Sequence, residues 1–288
     1  MKKIAKKILS LAFNRFHRPD SDGFIEVYDD ISCRSIYLYW RSDSYIETEI
    51  YRHGLYGGWE RQSLALWAYL SKISRCVLDV GANTGIYSLI SESNSPFAKI
   101  IAIEPVDVNF EVLHKNIIKN NFSIITEKVA LSNYQGSATM FALKNKINYM
   151  TQIDKNRYEL HPEIAKNHEI AKIEIEVKSF DYLASKYDIE DIDLIKVDVE
   201  GSEFSVLESI FPVLSIGLPS IIVEIISDEG ADRINRLFGG LDYHYFSIDE
   251  IGRRIIKVDR LWNNDHQNFL ICKAEIAEYL KGFDVVIV

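Results

Sequence analysis

No stretch of the 288 residues stays apolar for the ~20 residues that a membrane-spanning helix requires, so no span is predicted. Cysteine is scarce: Cys33, Cys76 and Cys272 are odd in number, far apart and never in a CxxC arrangement. That excludes a disulfide framework and a cysteine-built zinc site, and fits a reducing cytosol. The seven histidines show no metal-ligand spacing, and position alone supports no Ser/His/Asp or Cys/His assembly. There is no GK[ST], and so no Walker P-loop. Basic residues are in deficit, 33 against 42 acids, and the net charge of −9 argues against general affinity for nucleic acid. What remains is an ordinary globular composition, 47% hydrophobic and 26% charged, with enough chain to bury a proper core.

The charge is unevenly placed. Lys2, Lys3, Lys6, Lys7, Arg15 and Arg18 give residues 1–18 a charge of +6 with no acid, which leaves −15 of the net −9 on the rest. Ile4, Ile8, Leu11 and Ala12 recur at helical spacing. The segment therefore reads as an amphipathic basic helix, suited either to an anionic membrane surface or to capping the body through its apolar stripe. Ser10 breaks the apolar run and no small-residue cleavage site follows, so the helix is expected to be retained rather than removed as a signal. The expected location is cytoplasmic, with residues 1–18 offering a peripheral contact at the inner face of the membrane.

FIEVY (24–28) and RSIYLYW (34–40) read as short strands, the second with Ile36, Leu38 and Trp40 in half-buried alternation. Gly54, Gly57 and Gly58 precede a helix over 59–72. From residue 76 apolar runs alternate with amphipathic segments. CVLDV (76–80), KIIAIE (99–104), SIITEKVAL (123–131), IDLIKVD (192–198) and SIIVEII (220–226) are strand candidates, followed near the end by YHYFSI (243–248) and NFLICK (268–273). Runs apolar on both sides suit a parallel sheet covered by helices on both faces. The expected fold is a doubly wound, Rossmann-like α/β domain over 59–288, with a small N-terminal extension over 1–58. The polar stretch 144–172 is too long for a structureless loop and reads as a lid, binding loop or helical excursion.

In VLDVGANTG a buried strand ends at Asp79-Val80 and turns through Gly81, Ala82, Asn83, Thr84 and Gly85 into a helix. In open α/β sheets ligands bind at the carboxyl ends of strands, and this first turn is the usual place. A dinucleotide fingerprint would need glycine at 83 and 86, where Asn83 and Ile86 stand. The next strand ends in Glu104-Pro105, and a carboxylate there can accept both hydroxyls of a ribose. A nucleoside without a diphosphate is what S-adenosylmethionine offers: adenosine for Glu104, an amino-acid head for the turn with Asp79 facing its ammonium, and a sulfonium tolerant of acidic surroundings. The competing reading is a structural glycine turn with two incidental acids.

VLDVGANTG, IAIEP, VALS followed by Gly136, IDLIKVDVEGSEFSVLESI, IIVEI and the final NFLI together resemble the FkbM-type methyltransferases, a branch of the class I S-adenosylmethionine-dependent enzymes. The resemblance runs from about residue 60 to 273. It implies a seven-stranded sheet whose last strand is antiparallel, and O-methylation, commonly of sugar hydroxyls in glycans or of natural products. It also implies that Asp79 to Gly85, Glu104, Pro105 and Ala130 hold the cofactor, with Asp198-Val199-Glu200-Gly201 beside the transferring methyl.

Methyl transfer from a sulfonium is an in-line displacement that gains most from alignment and from removal of the acceptor proton. Asp198, Glu200 and Glu224 approach one sheet edge and are the candidate catalytic acids; together they could instead hold a divalent cation. Asp198 and Glu200 share a face only if their strand continues through Val199. Glu200 could equally cap the helix that follows. Lys196, within an apolar strand, is expected to pair with one of these acids. His161 and His168 read as solvated, and His244 as structural or, more sharply, reaching the acceptor. Arg253, Arg254, Lys257, Arg260 and Trp262 form a basic-aromatic cluster over 249–267 that could grip an anionic acceptor. The expected partner is a sugar, glycan or other hydroxyl-bearing small molecule. The rival functions are an NAD- or nucleotide-sugar-binding oxidoreductase and a non-catalytic cofactor-binding scaffold.

Overall fold

The computed structural model describes residues 21–143, 170–282 and 286–288. The basic segment 1–18, most of the polar stretch 144–172, and with it His161 and His168, lie outside the described residues.

The described residues open with an antiparallel hairpin, β1 (Gly23–Asp29) and β2 (Arg34–Trp40), and two helices, α1 (Tyr45–His53) and α2 (Arg61–Ser71). Then β3 (Cys76–Val80), α3 (Ile86–Asn94), β4 (Lys99–Ile103), α4 (Asp107–Asn120) and β5 (Ile125–Glu127) wind one half of a sheet. β6 (Ala130–Leu131), β7 (Gly136–Leu143) and β8 (Ile170–Lys178) form a separate three-stranded sheet in the order β6-β8-β7. α5 (Phe180–Tyr187), β9 (Leu194–Val197), α6 (Glu203–Gly217), β10 (Ser220–Glu224), α7 (Asp228–Leu237) and β11 (His244–Asp249) wind the other half. β12 (Arg254–Val258), β13 (Asn268–Cys272), α8 (Ala274–Leu280) and β14 (Val286–Ile287) complete the chain.

The main sheet has nine strands in the order β14-β12-β11-β13-β10-β9-β3-β4-β5. Its inner seven, β11 to β5, include β13 as the antiparallel member between β10 and β11. The expected seven-stranded sheet is therefore present, widened at one edge by β12 and β14. SIITEKVAL is not one strand: β5 stops at Glu127 and Ala130 begins pairing with Val177 in the smaller sheet.

Successive strand residues point to opposite faces, and both faces are buried. Val77, Ile100, Leu194 and Ile222 pack with α2, α3 and α4, while Leu78, Ile101, Ile195 and Ile221 pack with α5, α6 and α7. This is why the runs show no alternation in the sequence. The hairpin covers α4, where Asn116 accepts from Tyr39 N at 2.6 Å and Asn120 from Tyr37 N at 2.8 Å while donating to Tyr37 O at 2.7 Å. These two asparagines satisfy an edge that would otherwise invite another strand.

Candidate active site

Strand order reverses between β3 and β9, and a cleft of about 430 Å³ opens there at the carboxyl edge, a volume typical of a small-molecule site. β3 delivers Asp79 and then the turn. Gly81 has φ +81° and lies so close to β9 that a Cβ would stand 1.8 Å from Asp198 O, so only glycine fits. Gly81 N and Ala82 N both donate to Ile103 O, locking the turn onto β4. Thr84 is buried, donating its hydroxyl to Glu47 of α1 at 2.6 Å, and Asn116 of α4 holds Thr84 O at 2.9 Å. The turn is thus fixed from three sides before any ligand arrives.

Of the residues assigned to the cofactor from sequence, Asp79, Gly81, Ala82, Asn83, Thr84, Glu104, Pro105, Ala130 and Asp198 line this cleft. Gly85 is not among the lining residues: at φ +91° it precedes α3 with Leu113 against it, 2.4 Å from where a Cβ would stand. Its glycine answers a packing demand between α3 and α4. Asp79 accepts from Ser88 N at 3.0 Å and Ser88 Oγ at 2.6 Å; burial pushes its carboxyl up to about 6, against these bonds and the pull of Lys196. Glu104 accepts from Asn83 N and Val106 N, both at 2.9 Å, one on each oxygen. Burial pushes it up to about 7 despite those bonds. The Asn109 side chain adds a third bond to this carboxylate. Asn83 Oδ1 is buried with no hydrogen-bond partner, which marks a place for a donor from a ligand.

On the other side of the switch point β9 ends at Val197, so Asp198 and Glu200 do not share a continuing strand. A left-handed turn at Glu200, φ +55°, brings them together instead, and one carboxylate oxygen each from Asp198, Glu200 and Glu224 lies within 4.8 Å of the others. The N-cap position of α6 is Ser202 rather than Glu200, and Glu203 accepts from Gly201 N at 2.7 Å. Glu224 Oε2 is buried without a hydrogen-bond partner, and burial, with Asp198 and Glu200 adding, raises its pKa well above the usual carboxylate range. Lys196 is the expected buried pair: its Nζ lies 3.5 Å from Asp198 Oδ2, donates to Asn268 Oδ1 at 3.1 Å and sits 5.0 Å over the Tyr87 ring. Burial alone would lower its pKa, but Asp198, Glu60, Glu224 and Asp79 overcome this and hold it raised.

The sequence reading missed one wall of the cleft, formed by Tyr45, Ile46, Trp59 and Glu60 from α1 and the start of α2. The Gly57-Gly58 punctuation before Trp59-Glu60 was its only local signal. The basic-aromatic cluster does not line the cleft. Residues 249–267 are a turn, strand β12 and a return crossing; Arg254 is bound to Asp249 at 2.9 Å and Trp262 packs edge-on to Phe269. His244 pairs with Cys272 at the amino edge, the end of the sheet opposite the cleft.

This strand order, with an acid just after β4 and acids gathered after β9 and on β10, is that of the class I methyltransferase fold. Residues 79–249 match the methyltransferase FkbM domain, and the chain belongs to that family. Curated relatives include Methyltransferase 1 of Beauveria bassiana, 27% identical over 168 residues, with the match covering 54% of this chain and 66% of that protein. Methyltransferase sdnD of Sordaria araneosa is 29% identical over 154 residues, covering 46% of this chain and 60% of that protein. The chain thus spans just under two thirds of the length of these relatives. Among solved structures, the methyltransferase FkbM from Methylobacillus flagellatus KT is 14% identical, covering 94% of this chain and 60% of that one, with a TM-score of 0.43. Among the described residues no helix is long and apolar enough to cross a membrane.

Proposed function

We propose that the protein transfers a methyl group from S-adenosylmethionine to a hydroxyl of a sugar or glycan precursor. The observation that carries this reading is the division of one cleft into two chemistries. Glu104, Asn83 and the Gly81 turn suit an adenosine and an amino-acid head, while Asp198, Glu200 and Glu224 with Tyr45, Trp59 and Tyr134 line the rest. Carboxylates that pair with hydroxyls and aromatic faces that lie on sugar rings suit a neutral polyhydroxylated acceptor better than an anionic one. Bound there, the donor supplies an electrophilic methyl carbon. The protein's share is to hold the acceptor oxygen in line, to shield the reaction from water and to receive a proton. Asp198, fixed by Lys196, faces the donor's positive charge in this reading. A cytoplasmic setting is part of the same proposal and rests on the free thiols of Cys33, Cys76 and Cys272.

A second reading is favoured by Glu224 Oε2, the buried oxygen without a partner. Asp198, Glu200 and Glu224 offer three hard oxygen ligands to a divalent cation, which would polarise the acceptor hydroxyl and lower the Glu224 pKa. One experiment addresses both. Labelled S-adenosylmethionine is supplied with cell-envelope glycan and lipid extracts, with and without a chelator. Label in a sugar-bearing fraction supports the acceptor class, and loss of that label with chelator supports the cation. Calorimetry showing tighter binding of NAD than of S-adenosylhomocysteine would overturn the reading in favour of an oxidoreductase. Tight S-adenosylhomocysteine binding with no turnover on any fraction would favour a binding scaffold.

A further inference from the structure

Glu60 stands where a helix-capping side chain belongs and does not cap. It is the N-cap of α2 yet makes no side-chain bond to the helix. The N–H groups of Gln62 and Ser63 are taken instead by Glu250, from the turn after β11, at 2.6 and 3.1 Å, with Ser63 Oγ donating to the same carboxylate at 2.5 Å. Arg61 grips that turn again through the carbonyls of Glu250 and Ile251. Glu60 is held at φ +41°, ψ +36°, the left-handed region that is unfavourable for a residue with a Cβ. Such a conformation persists only where the surroundings impose it, and it recurs at functional sites.

The conformation turns the Glu60 carboxylate into the cleft beside Trp59. There the Tyr87 hydroxyl donates to Oε2 at 2.5 Å. Tyr87 is itself fixed edge-on between Trp67 at 5.2 Å and Trp59 at 6.4 Å, beneath the Lys196 ammonium. Burial raises the Glu60 pKa; Lys196 opposes this, Asp198 adds to it, the Tyr87 bond opposes it and Glu250 adds to it. Glu224 faces the same charges across Lys196. The neighbours are worse placed to accept a proton. Asp198 is committed to Lys196 at 3.5 Å, and Glu224 shares its place with the carboxylates of Asp198 and Glu200, whereas Glu60 stands outside that cluster with the Tyr87 hydroxyl on one oxygen.

Resting on the methyl-transfer reading, we propose that Glu60 is the group that takes the acceptor's hydroxyl proton, with Tyr87 and Lys196 as positioning residues. As the acceptor oxygen bonds to the methyl carbon, the carbon–sulfur bond of the donor breaks and its electron pair stays on sulfur. The hydroxyl proton passes to the Glu60 carboxylate and leaves to water when the products depart. Donor cation, neutral alcohol and carboxylate thus become neutral thioether, methyl ether and carboxylic acid, and charge balances.

The test uses the full chain, the extract fraction labelled by the wild type, calorimetry with S-adenosylhomocysteine, and thermal unfolding. E60Q is expected to slow label transfer about 10²–10⁴-fold while leaving the S-adenosylhomocysteine Kd within about threefold. E60Q keeps an oxygen to accept from the Tyr87 hydroxyl, so its unfolding midpoint is expected within about 2 °C of the wild type. A purely structural role predicts a lowered midpoint that tracks the loss of transfer. Transfer by E60Q at the wild-type rate overturns the inference. So does an equal loss of S-adenosylhomocysteine affinity and transfer, or a clearly lowered midpoint in E60Q. If the wild type itself neither binds S-adenosylhomocysteine nor transfers label, the methyl-transfer reading falls and this inference falls with it.

Discussion

Cofactor affinity should fall steeply with acidity, through Glu104. Its carboxyl is pushed up to about 7 by burial, and a ribose donating two hydroxyls to it binds only the ionised form well. Above pH 8 Glu104 is ionised and the S-adenosylhomocysteine Kd should be flat; below pH 7 each unit should weaken binding about tenfold. Asp79, pushed up to about 6 by burial, adds a second titration, because a ligand ammonium favours its ionised form. Together they should weaken binding about 10³-fold between pH 8 and pH 5. The sign for folding runs the other way. Both native pKa values lie above the ordinary carboxylate range, so the ligand-free fold binds more protons than the unfolded chain. The stability they contribute is complete below about pH 4 and lost as pH rises through 6 to 7. E104Q should lose one of the two slopes and about 1.5–3 kcal/mol of binding, roughly 10–150-fold at pH 8. It also sets an amide N–H against Asn83 N or Val106 N. Calorimetry in buffers of differing ionisation enthalpy reads both the Kd and the protons released. A Kd that is constant from pH 5.5 to 8, or an E104Q protein that keeps the full slope, would refute the placement of Glu104 against the ligand.

Two further outcomes follow from the turn. G81A sets a Cβ at 1.8 Å from Asp198 O at φ +81°, so the turn must leave β9; we expect a lowered unfolding midpoint and at least ~100-fold weaker S-adenosylhomocysteine binding. N116A strips partners from both Tyr39 N and Thr84 O, costing about 2–4 kcal/mol and loosening the turn, so stability and cofactor affinity should fall together. N120A removes bonds to Tyr37 of the hairpin and to Asn116 O of its own helix but none to the turn, and denaturant unfolding should show a smaller loss with affinity intact.

The parts legible in the sequence are those whose physics is local. Val77 to Val80 and Ile100 to Ile103 had to be buried on both faces, and a strand ending in Asp79-Val80-Gly81 had to turn tightly into a helix. What sequence reading missed or misplaced was set by contacts between distant segments. Adjacent charges over 249–267 read as one patch, yet the β11–β12 hairpin commits Arg254 to Asp249 and the chain then crosses back. Alternation along a strand was the wrong rule for Asp198 and Glu200, because β9 stops at Val197 and a positive φ at Glu200 does the gathering. Glu60 is the clearest case. Its sequence neighbours make it an ordinary helix cap, and only Glu250, 190 positions later, takes over that duty and leaves the carboxylate for the cleft. The first and second strands of the winding therefore specify the Gly81 turn and the place of Glu104 almost by themselves. The chemistry facing them is assembled from α1, α2, β9, β10 and the β11 turn, elements that meet only once the sheet has closed. The two halves of the cleft are coupled rather than independent: Thr84 of the turn bonds Glu47 of α1, and Tyr87, just past the turn, bonds Glu60, so a change in either wall is felt by the other.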